Sequence, residues 1–328
     1  MRPIPSFFLA VISAAILAGL GLVMPTWLLF LVTLAASNGL AVLGIVVLTR
    51  GGGATFGQGM FFALGAYTAA LLPSLLGIHD ALLRTLLGTL VAGAVGAVFA
   101  PLLVRYRGIF FAMLTLALSM VLYGLLSKST AIGGSDGLTV IKPTLLGFSL
   151  EGIHTEYVLY SMTMVISVLV GWAVSVYWRS AAGLMALAVR ANPLRVEYLG
   201  ASARRSLGMS FFICALLGGT GGAIVAQSLG HVEPNLANWT TSGEFVFVAV
   251  LAGYKRISSV FVASLLLEVV RSFSNLYFPN TWQLALGAFL LLVIIFRPEG
   301  IGSLWGQKKR SLIPLPVSGS PALAKENS

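Results

Sequence analysis

Long apolar runs that few charged residues interrupt dominate this chain. Of its 328 residues, 58% are hydrophobic and 9% are charged, whereas a soluble globular domain carries about 25% charged residues. A bilayer core about 30 Å thick needs roughly 20 apolar residues per helical crossing. Lipid offers no partner to backbone N–H and C=O groups, so only helices and closed barrels span it. Because barrels need short alternating stretches, these continuous runs predict an all-α, polytopic transmembrane helical bundle.

Ten apolar stretches are candidate membrane segments. They are residues 5–23, 26–48, 54–77, 83–104, 108–127, 156–178, 207–229, 241–254, 257–274 and 281–296. The eighth is too short for a full crossing. We therefore expect about 8–10 membrane segments, including broken or re-entrant helices, which are tolerated only inside protein or along a cavity. The first stretch follows Arg2 as in a signal peptide, but no convincing cleavage site follows, so we interpret it as an uncleaved helix.

The basic residues predict the orientation of the chain. A formal net charge of +10 would indicate nucleic acid in a soluble protein, but in a membrane protein Lys and Arg mark the cytoplasmic side. With a cytoplasmic N-terminus and alternating crossings, every basic residue except Arg84, Lys128, Lys142 and Arg271 falls on that side. Both termini are therefore predicted to be cytoplasmic. The single cysteine, Cys214, excludes an intramolecular disulfide.

The sequence contains no recognisable set of catalytic residues. His79, His154 and His231 all fall in predicted external connections, and no nucleophile, base and orienting group occur together. The glycine-rich stretch 51–59 lacks the Lys-Ser/Thr of a phosphate loop. It is either a broken helix entering a permeation region or a tight helix contact, and the glycines of 218–223 indicate close packing. We predict no catalytic, cofactor-binding or metal-ligating residue on this chain.

A few charges lie inside the apolar runs. Glu268 and Arg271 are spaced i,i+3, so they share a helix face and could pair, and Glu244 lies in the preceding segment. Charges within a membrane are expensive and often functional. The alternative is a structural ion pair close to the outer interface.

The internal connection 179–206 carries five arginines and one glutamate. Apolar positions such as Leu184 and Leu187 predict a short amphipathic helix that Pro193 breaks. Such a helix either docks into a groove on a soluble partner or lies on anionic lipid. Composition leaves both interpretations open.

Several blocks of the sequence resemble the permease family of high-affinity branched-chain amino acid ABC importers, particularly its M-type subunit. The resemblance extends over roughly residues 40–302. The matching positions are Gly59, Phe61, Phe62, Gly65, Ala66, Tyr67, Arg107, Gly108, Thr115, Leu116, Gly133, Gly134, Gly137, Leu138, Arg297, Pro298 and Gly300. The chain departs from the family at 252–259, where Lys255 and Arg256 stand in an element that is usually rich in glycine.

The resemblance also identifies the internal connection as the segment that permeases present to their ATPase subunits. Arg190, Asn192 and Gly200 match the family pattern, whereas Pro193 and Val196 depart from it. The resemblance implies an ATPase-coupling segment at 181–205. Its candidate coupling residues are Leu184, Leu187, Arg190, Asn192, Glu197 and Gly200.

The resemblance implies a permease domain at 1–310 that forms half of a pathway for branched-chain or related amino acids by ATP-coupled alternating access. The expected partners are a second permease, two cytoplasmic ATPase subunits that hold the ATP, an extracytoplasmic solute-binding protein and membrane lipid, but no nucleic acid. The expected location is the bacterial inner membrane, with a disordered tail at 311–328. The alternatives are a permease for urea or short amides, an ion-coupled secondary transporter that uses Glu244 and Glu268, and a non-transporting subunit of an energy-converting complex.

Overall fold

The chain folds into a bundle of α-helices, described by a computed structural model for residues 3–145, 148–149, 153–277 and isolated positions between 281 and 295. The helices are α1 (Pro3–Leu20), α2 (Thr26–Arg50), α3 (Gln58–Leu76), α4 (Ala81–Leu103), α5 (Ile109–Lys128), α6 (Ile153–Arg179), α7 (Ala181–Ala191), α8 (Pro193–Tyr198), α9 (Ala203–Leu229), α10 (Trp239–Ala252) and α11 (Ser258–Tyr277). The strands are β1 (Leu138–Thr139), β2 (Thr144–Leu145), β3 (Phe148–Ser149) and β4 (His231–Val232).

The predicted all-α polytopic bundle is confirmed. Within the described ranges, seven helices are long and apolar enough to cross a membrane, namely α2, α3, α4, α5, α6, α9 and α11. Shorter apolar helices include Ala10–Leu20 and α10. The predicted segment 54–77 begins too early, because residues 54–57 are not helical and α3 starts at Gln58. Most of the predicted segment 281–296, the motif at 297–300 and the tail at 311–328 lie outside the described residues.

Two helices form the centre of the bundle, and small residues let them approach their neighbours. The apolar residues in the second half of α2 are almost all buried, and α9 packs against α2, α3 and α4. A Cβ added at Gly65 would collide with the backbone carbonyl of Gly219, and one added at Gly222 would collide with that of Phe62. The glycines of 218–223 therefore have the packing role that the sequence indicated, because helices in lipid associate through close backbone contact.

The two ends of the bundle differ in chemistry. One end, here called the basic end, carries Arg50, Arg107 and Arg190, together with α7 and α8. The other, the loop end, carries the short strands, where β1 pairs antiparallel with β4 and β2 with β3. This separation agrees with the predicted alternation of the crossings.

Arg84 links the loop end to the helix bundle. It is fully buried near the start of α4, where its Nε donates to the Ala69 carbonyl at 2.8 Å and its Nη1 donates to the Ile141 carbonyl at 3.0 Å. Pro73 lies within α3 and has no N–H to donate to Ala69, four residues earlier. Arg84 therefore satisfies the carbonyl that this proline leaves without its helical partner, and it also fixes the loop after β1.

We expect Arg84→Ala to destabilise the protein by about 3 kcal/mol, since two charge-assisted hydrogen bonds are lost and a buried carbonyl loses its donor. Thermal unfolding in detergent measures this change. Arg105→Ala is the matched control, because Arg105 is exposed in the turn after α4. Equal midpoints for the two variants would contradict this role of Arg84.

Candidate functional site

The connection between α2 and α3 turns back into the bundle. α2 ends at Arg50, Gly52 adopts a left-handed conformation with φ of 85°, and α3 begins at Gln58. The fully buried Gln58 side chain donates through Nε2 to the Ala41 carbonyl at 2.8 Å. Ala41 precedes the end of α2 by nine residues, a depth of about 13 Å at 1.5 Å per residue. The chain therefore re-enters the bundle before α3 starts.

The connection between α9 and α10 also turns back into the bundle, from the loop end. It passes from β4 through the 3₁₀ turn Pro234–Ala237 to α10. The Ala237 carbonyl accepts a 2.7 Å hydrogen bond from Ser119 Oγ, halfway along α5. One turn earlier on α5, Thr115 Oγ1 accepts the Phe56 N–H at 3.3 Å. Adjacent turns of α5 thus bind both re-entrant connections.

The N-terminal ends of α3 and α10 meet deep inside the bundle. The Gly59 N–H donates to Ser242 Oγ at 2.9 Å, and a Cβ on Gly59 would lie 2.8 Å from the Leu236 carbonyl. The stretch 51–59 therefore combines the two roles considered for it, a broken helix and a tight contact. Helices that start at this depth direct their free N–H groups and positive dipole ends inward, as at transporter sites.

A charged cluster lies beside this junction, in a cavity of about 270 Å³ between α2, α10 and α11. Arg271 contacts Glu244 directly and lies 3.8 Å from a carboxylate oxygen of Glu268. Asn38 Nδ2 donates to Glu268 at 3.3 Å. The expected pairing of Glu268 with Arg271 is confirmed. Because Asn38 is halfway along α2, Glu268 lies within the bundle and not at its loop end.

A second cavity, of about 420 Å³, lies along the same two helices nearer the basic end. Its lining consists of Ile45, Val46, Thr49, Ala54, Thr55, Val246, Ala249, Val250, Gly253, Tyr254 and Lys255. α2 and α10 therefore border one cavity that contains charges and another that is mainly apolar. Together the cavities extend from the middle of the bundle toward the basic end.

The predicted coupling segment forms two short helices outside the bundle. Ser180 caps α7, and Asn192 caps α8 by accepting the Arg195 N–H at 3.0 Å. Pro193 is the first residue of α8, where its missing N–H costs nothing. The six candidate coupling residues, Leu184, Leu187, Arg190, Asn192, Glu197 and Gly200, are all exposed at the basic end.

Arg190 connects this segment to the α2–α3 connection and to the end of α10. Its guanidinium lies 3.9 Å from the ring centroid of Tyr254, just beyond the end of α10. Its Cα lies 3.2 Å from the position of a Cβ on Gly52, in the connection that leads to α3. Glu197 in α8 pairs with Arg107 at 3.4 Å. A movement of α7 would therefore reach α3 and α10 together.

Several residues of the site carry no local signal in the sequence. Gln58, Asn38 and Ser264 belong to no motif in the sequence, and only the tertiary structure places Gln58 at the helix junction and Asn38 and Ser264 at the charged cavity. Tyr254 lies in the stretch 252–259. The departure of that stretch from the family pattern was the one feature of the sequence that pointed to this residue. Among the described residues, no group of three His, Cys, Asp or Glu side chains could hold a metal ion.

Comparisons with known proteins identify the family of the chain. Residues 27–295 match the family described as branched-chain amino acid transport system / permease component. The high-affinity branched-chain amino acid transport system permease protein LivM of Escherichia coli (strain K12) is 30% identical over 278 residues, which cover 78% of this chain. The protein of the same name from Salmonella typhimurium (strain LT2) is 29% identical over the same share. The match spans 65% of the length of each relative. No solved structure gives a significant match.

Proposed function

The chain belongs to the family of branched-chain amino acid transport permease components, and on that premise we propose that it is the membrane permease subunit of an ABC importer. In this role it forms half of the translocation pathway for branched-chain or related amino acids. The observation that carries the proposal is the exposed α7–α8 pair, which contacts the α2–α3 connection and the end of α10 through Arg190.

The exposed apolar side chains of α7 and α8 support docking to a soluble partner. Leu194, Tyr198 and Leu199 are 65%, 90% and 81% exposed. Between the two helices lies an apolar concavity of about 300 Å³, bordered by Leu184 and Leu199. Apolar side chains that project around an apolar groove fit a helix-in-groove interface. We propose that a cytoplasmic ATPase subunit covers this surface.

The proposed mechanism is alternating access driven from the basic end. ATP-driven closure of the ATPase subunits displaces α7 and α8, and Arg190 transmits the displacement to Gly52 and Tyr254. Since these residues adjoin α3 and α10, these two helices shift together. The cavities along α2 and α10 then open toward opposite sides in turn. ATP binding and hydrolysis occur on the ATPase subunits, not on this chain.

The proposed assembly has this chain paired with a second, related permease. Two ATPase subunits bind at the basic end, and an extracytoplasmic solute-binding protein delivers the solute to the loop end. The protein is a multi-pass membrane protein, and we propose the bacterial inner membrane with both termini cytoplasmic. The arginines of the basic end support this orientation.

The test is a mild-detergent pull-down of the full chain from its native membrane, followed by mass spectrometry of the bound subunits. We expect a second permease and ATP-binding subunits. The recovered assembly, reconstituted in liposomes, is expected to take up leucine only when ATP is supplied on the side of the basic end. Recovery of this chain alone, in a preparation that preserves known complexes, or uptake driven by an ion gradient without ATP, would overturn the proposal in favour of a secondary transporter.

A further inference from the structure

The charged cavity between α2, α10 and α11 has the composition of a binding site. Its polar residues are Asn38, Thr241, Glu244, Ser264, Glu268 and Arg271, and the remainder of its lining is apolar. Drug-sized ligands occupy pockets of about 300–1,000 Å³ that combine apolar walls with a few polar groups. A cavity of about 270 Å³ therefore suits a smaller solute.

The charges of the cavity favour a cation. Among the described residues that line it, two carboxylates, those of Glu244 and Glu268, face one guanidinium, that of Arg271. Glu268 is 7% exposed and lies beside Asn38 at the middle of α2. An excess carboxylate in such a position is costly unless a proton or a cation neutralises it.

Ser264 supplies a second, independent observation. It is 2% exposed and lines the cavity, and its Oγ has no hydrogen-bond partner. Buried hydroxyl groups nearly always have a partner, so this oxygen is available to accept a hydrogen bond from a ligand. It lies one turn of α11 from Glu268, on the same helix face.

We propose that this cavity binds a small solute through an ammonium group, which contacts Glu268 and Ser264, while the apolar body of the solute packs against Phe62, Phe245 and Leu267. Given the proposed function, on which this identification of the solute rests, the ligand is a branched-chain amino acid within the permease itself. Such an amino acid carries both an ammonium group and a compact apolar side chain.

The position of α10 would link this site to the basic end. Glu244 lies in the second turn of α10, at the cavity. Tyr254 follows the C-terminal end of α10, where its ring contacts the Arg190 guanidinium. A shift of α10 driven from α7 would move Glu244 relative to Glu268 on α11. The affinity of the cavity for an ammonium group would then change during the transport cycle.

The test is competition binding, by ligand-observed NMR, to the full chain in lipid nanodiscs. The probes are leucine, 3-methylbutylamine, which lacks the carboxylate, and 4-methylpentanoate, which lacks the ammonium group. We expect leucine and the amine to compete and the acid not to bind. Glu268→Gln should raise the Kd for leucine at least about tenfold, and Ser264→Ala should raise it about threefold, since hydrogen bonds to charged groups contribute more than neutral ones.

The matched controls are Glu233→Gln, an exposed carboxylate at the loop end, and Ser259→Ala, a buried serine elsewhere on α11. Both should bind leucine like the natural chain. Should 4-methylpentanoate bind as well as the amine, or should both cavity variants behave like the controls, the inference is wrong. Ser264→Ala leaves every charge in place, so it remains informative even where Glu268→Gln fails to fold.

The outcomes separate this inference from the proposed function. A chain that copurifies with ATPase subunits but binds none of the probes supports the importer and overturns the cavity site. A chain that binds leucine through Glu268 but copurifies with no ATPase supports the site and overturns the importer.

Discussion

Replacing Arg190 by glutamate and Gly200 by tryptophan in one chain is expected to abolish ATP-coupled uptake while leaving the protein inserted in the membrane. Arg190→Glu removes the cation–π contact with Tyr254 and places a negative charge over the ring. Gly200 has φ of 82° and lies exposed after α8, so Trp there is strained and projects into the proposed interface. Both changes lie outside the helix bundle, which keeps the cost in stability small.

The measurement is ATP hydrolysis and leucine uptake by the reconstituted assembly. We expect hydrolysis to continue and uptake to fall at least about a hundredfold, the effect of losing roughly 3 kcal/mol of coupling free energy. Arg105→Glu, an exposed charge reversal at the basic end, is the matched control and should transport normally. Coupled uptake at the natural rate in the double variant would show that the α7–α8 pair is not the coupling surface.

A milder variant isolates the contact with α10. Tyr254→Leu keeps an apolar side chain beneath Arg190 but removes the aromatic face, and an exposed cation–π contact contributes about 0.5–1 kcal/mol. We expect uptake per ATP hydrolysed to fall about two- to fivefold. An unchanged ratio would mean that movement reaches α10 by another route.

Gly65→Val is expected to prevent normal packing of α3 against α9. The first carbon of any side chain at Gly65 collides with the backbone carbonyl of Gly219, and no rotamer change can relieve a collision with backbone. Overpacking in a core costs about 1–3 kcal/mol where side chains can adjust. We therefore expect a loss of at least about 3 kcal/mol here, seen as a lower unfolding midpoint and loss of the monodisperse peak in size-exclusion chromatography.

Gly124→Val is the matched control for this variant. Gly124 also lies within a helix, α5, but a Cβ there meets no atom within 4 Å. Because glycine is a poor helix former, this change should be neutral or slightly stabilising. If Gly65→Val unfolded at the same midpoint as Gly124→Val, the close approach of α3 and α9 would not be a requirement of the fold.

The amino-acid sequence by itself determined the class of fold. Runs of about twenty apolar residues can span lipid only as helices, so composition along the chain was sufficient to place most segments. The local pattern of Leu184, Leu187 and Pro193 predicted the short helices of this connection, whereas its proposed coupling role came from the resemblance to the family. The error at the start of α3 has a local cause. Residues 54–57 are apolar enough for a helix, but they follow Gly52, whose positive φ directs the chain back into the bundle.

Only the tertiary structure decided which polar residues meet. Asn38 and Glu268 are separated by 230 positions, and Gln58 and Cys214 by 156, so no periodicity or spacing in the sequence connects them. Their contacts arise because α2 packs beside α11, and α3 beside α9, at depths that the re-entrant connections set. In a bundle whose helices are nearly all apolar, hydrophobicity places each helix in the membrane, but close packing of small residues determines which helices lie next to each other. The charged cavity forms because this packing places α2, α10 and α11 side by side.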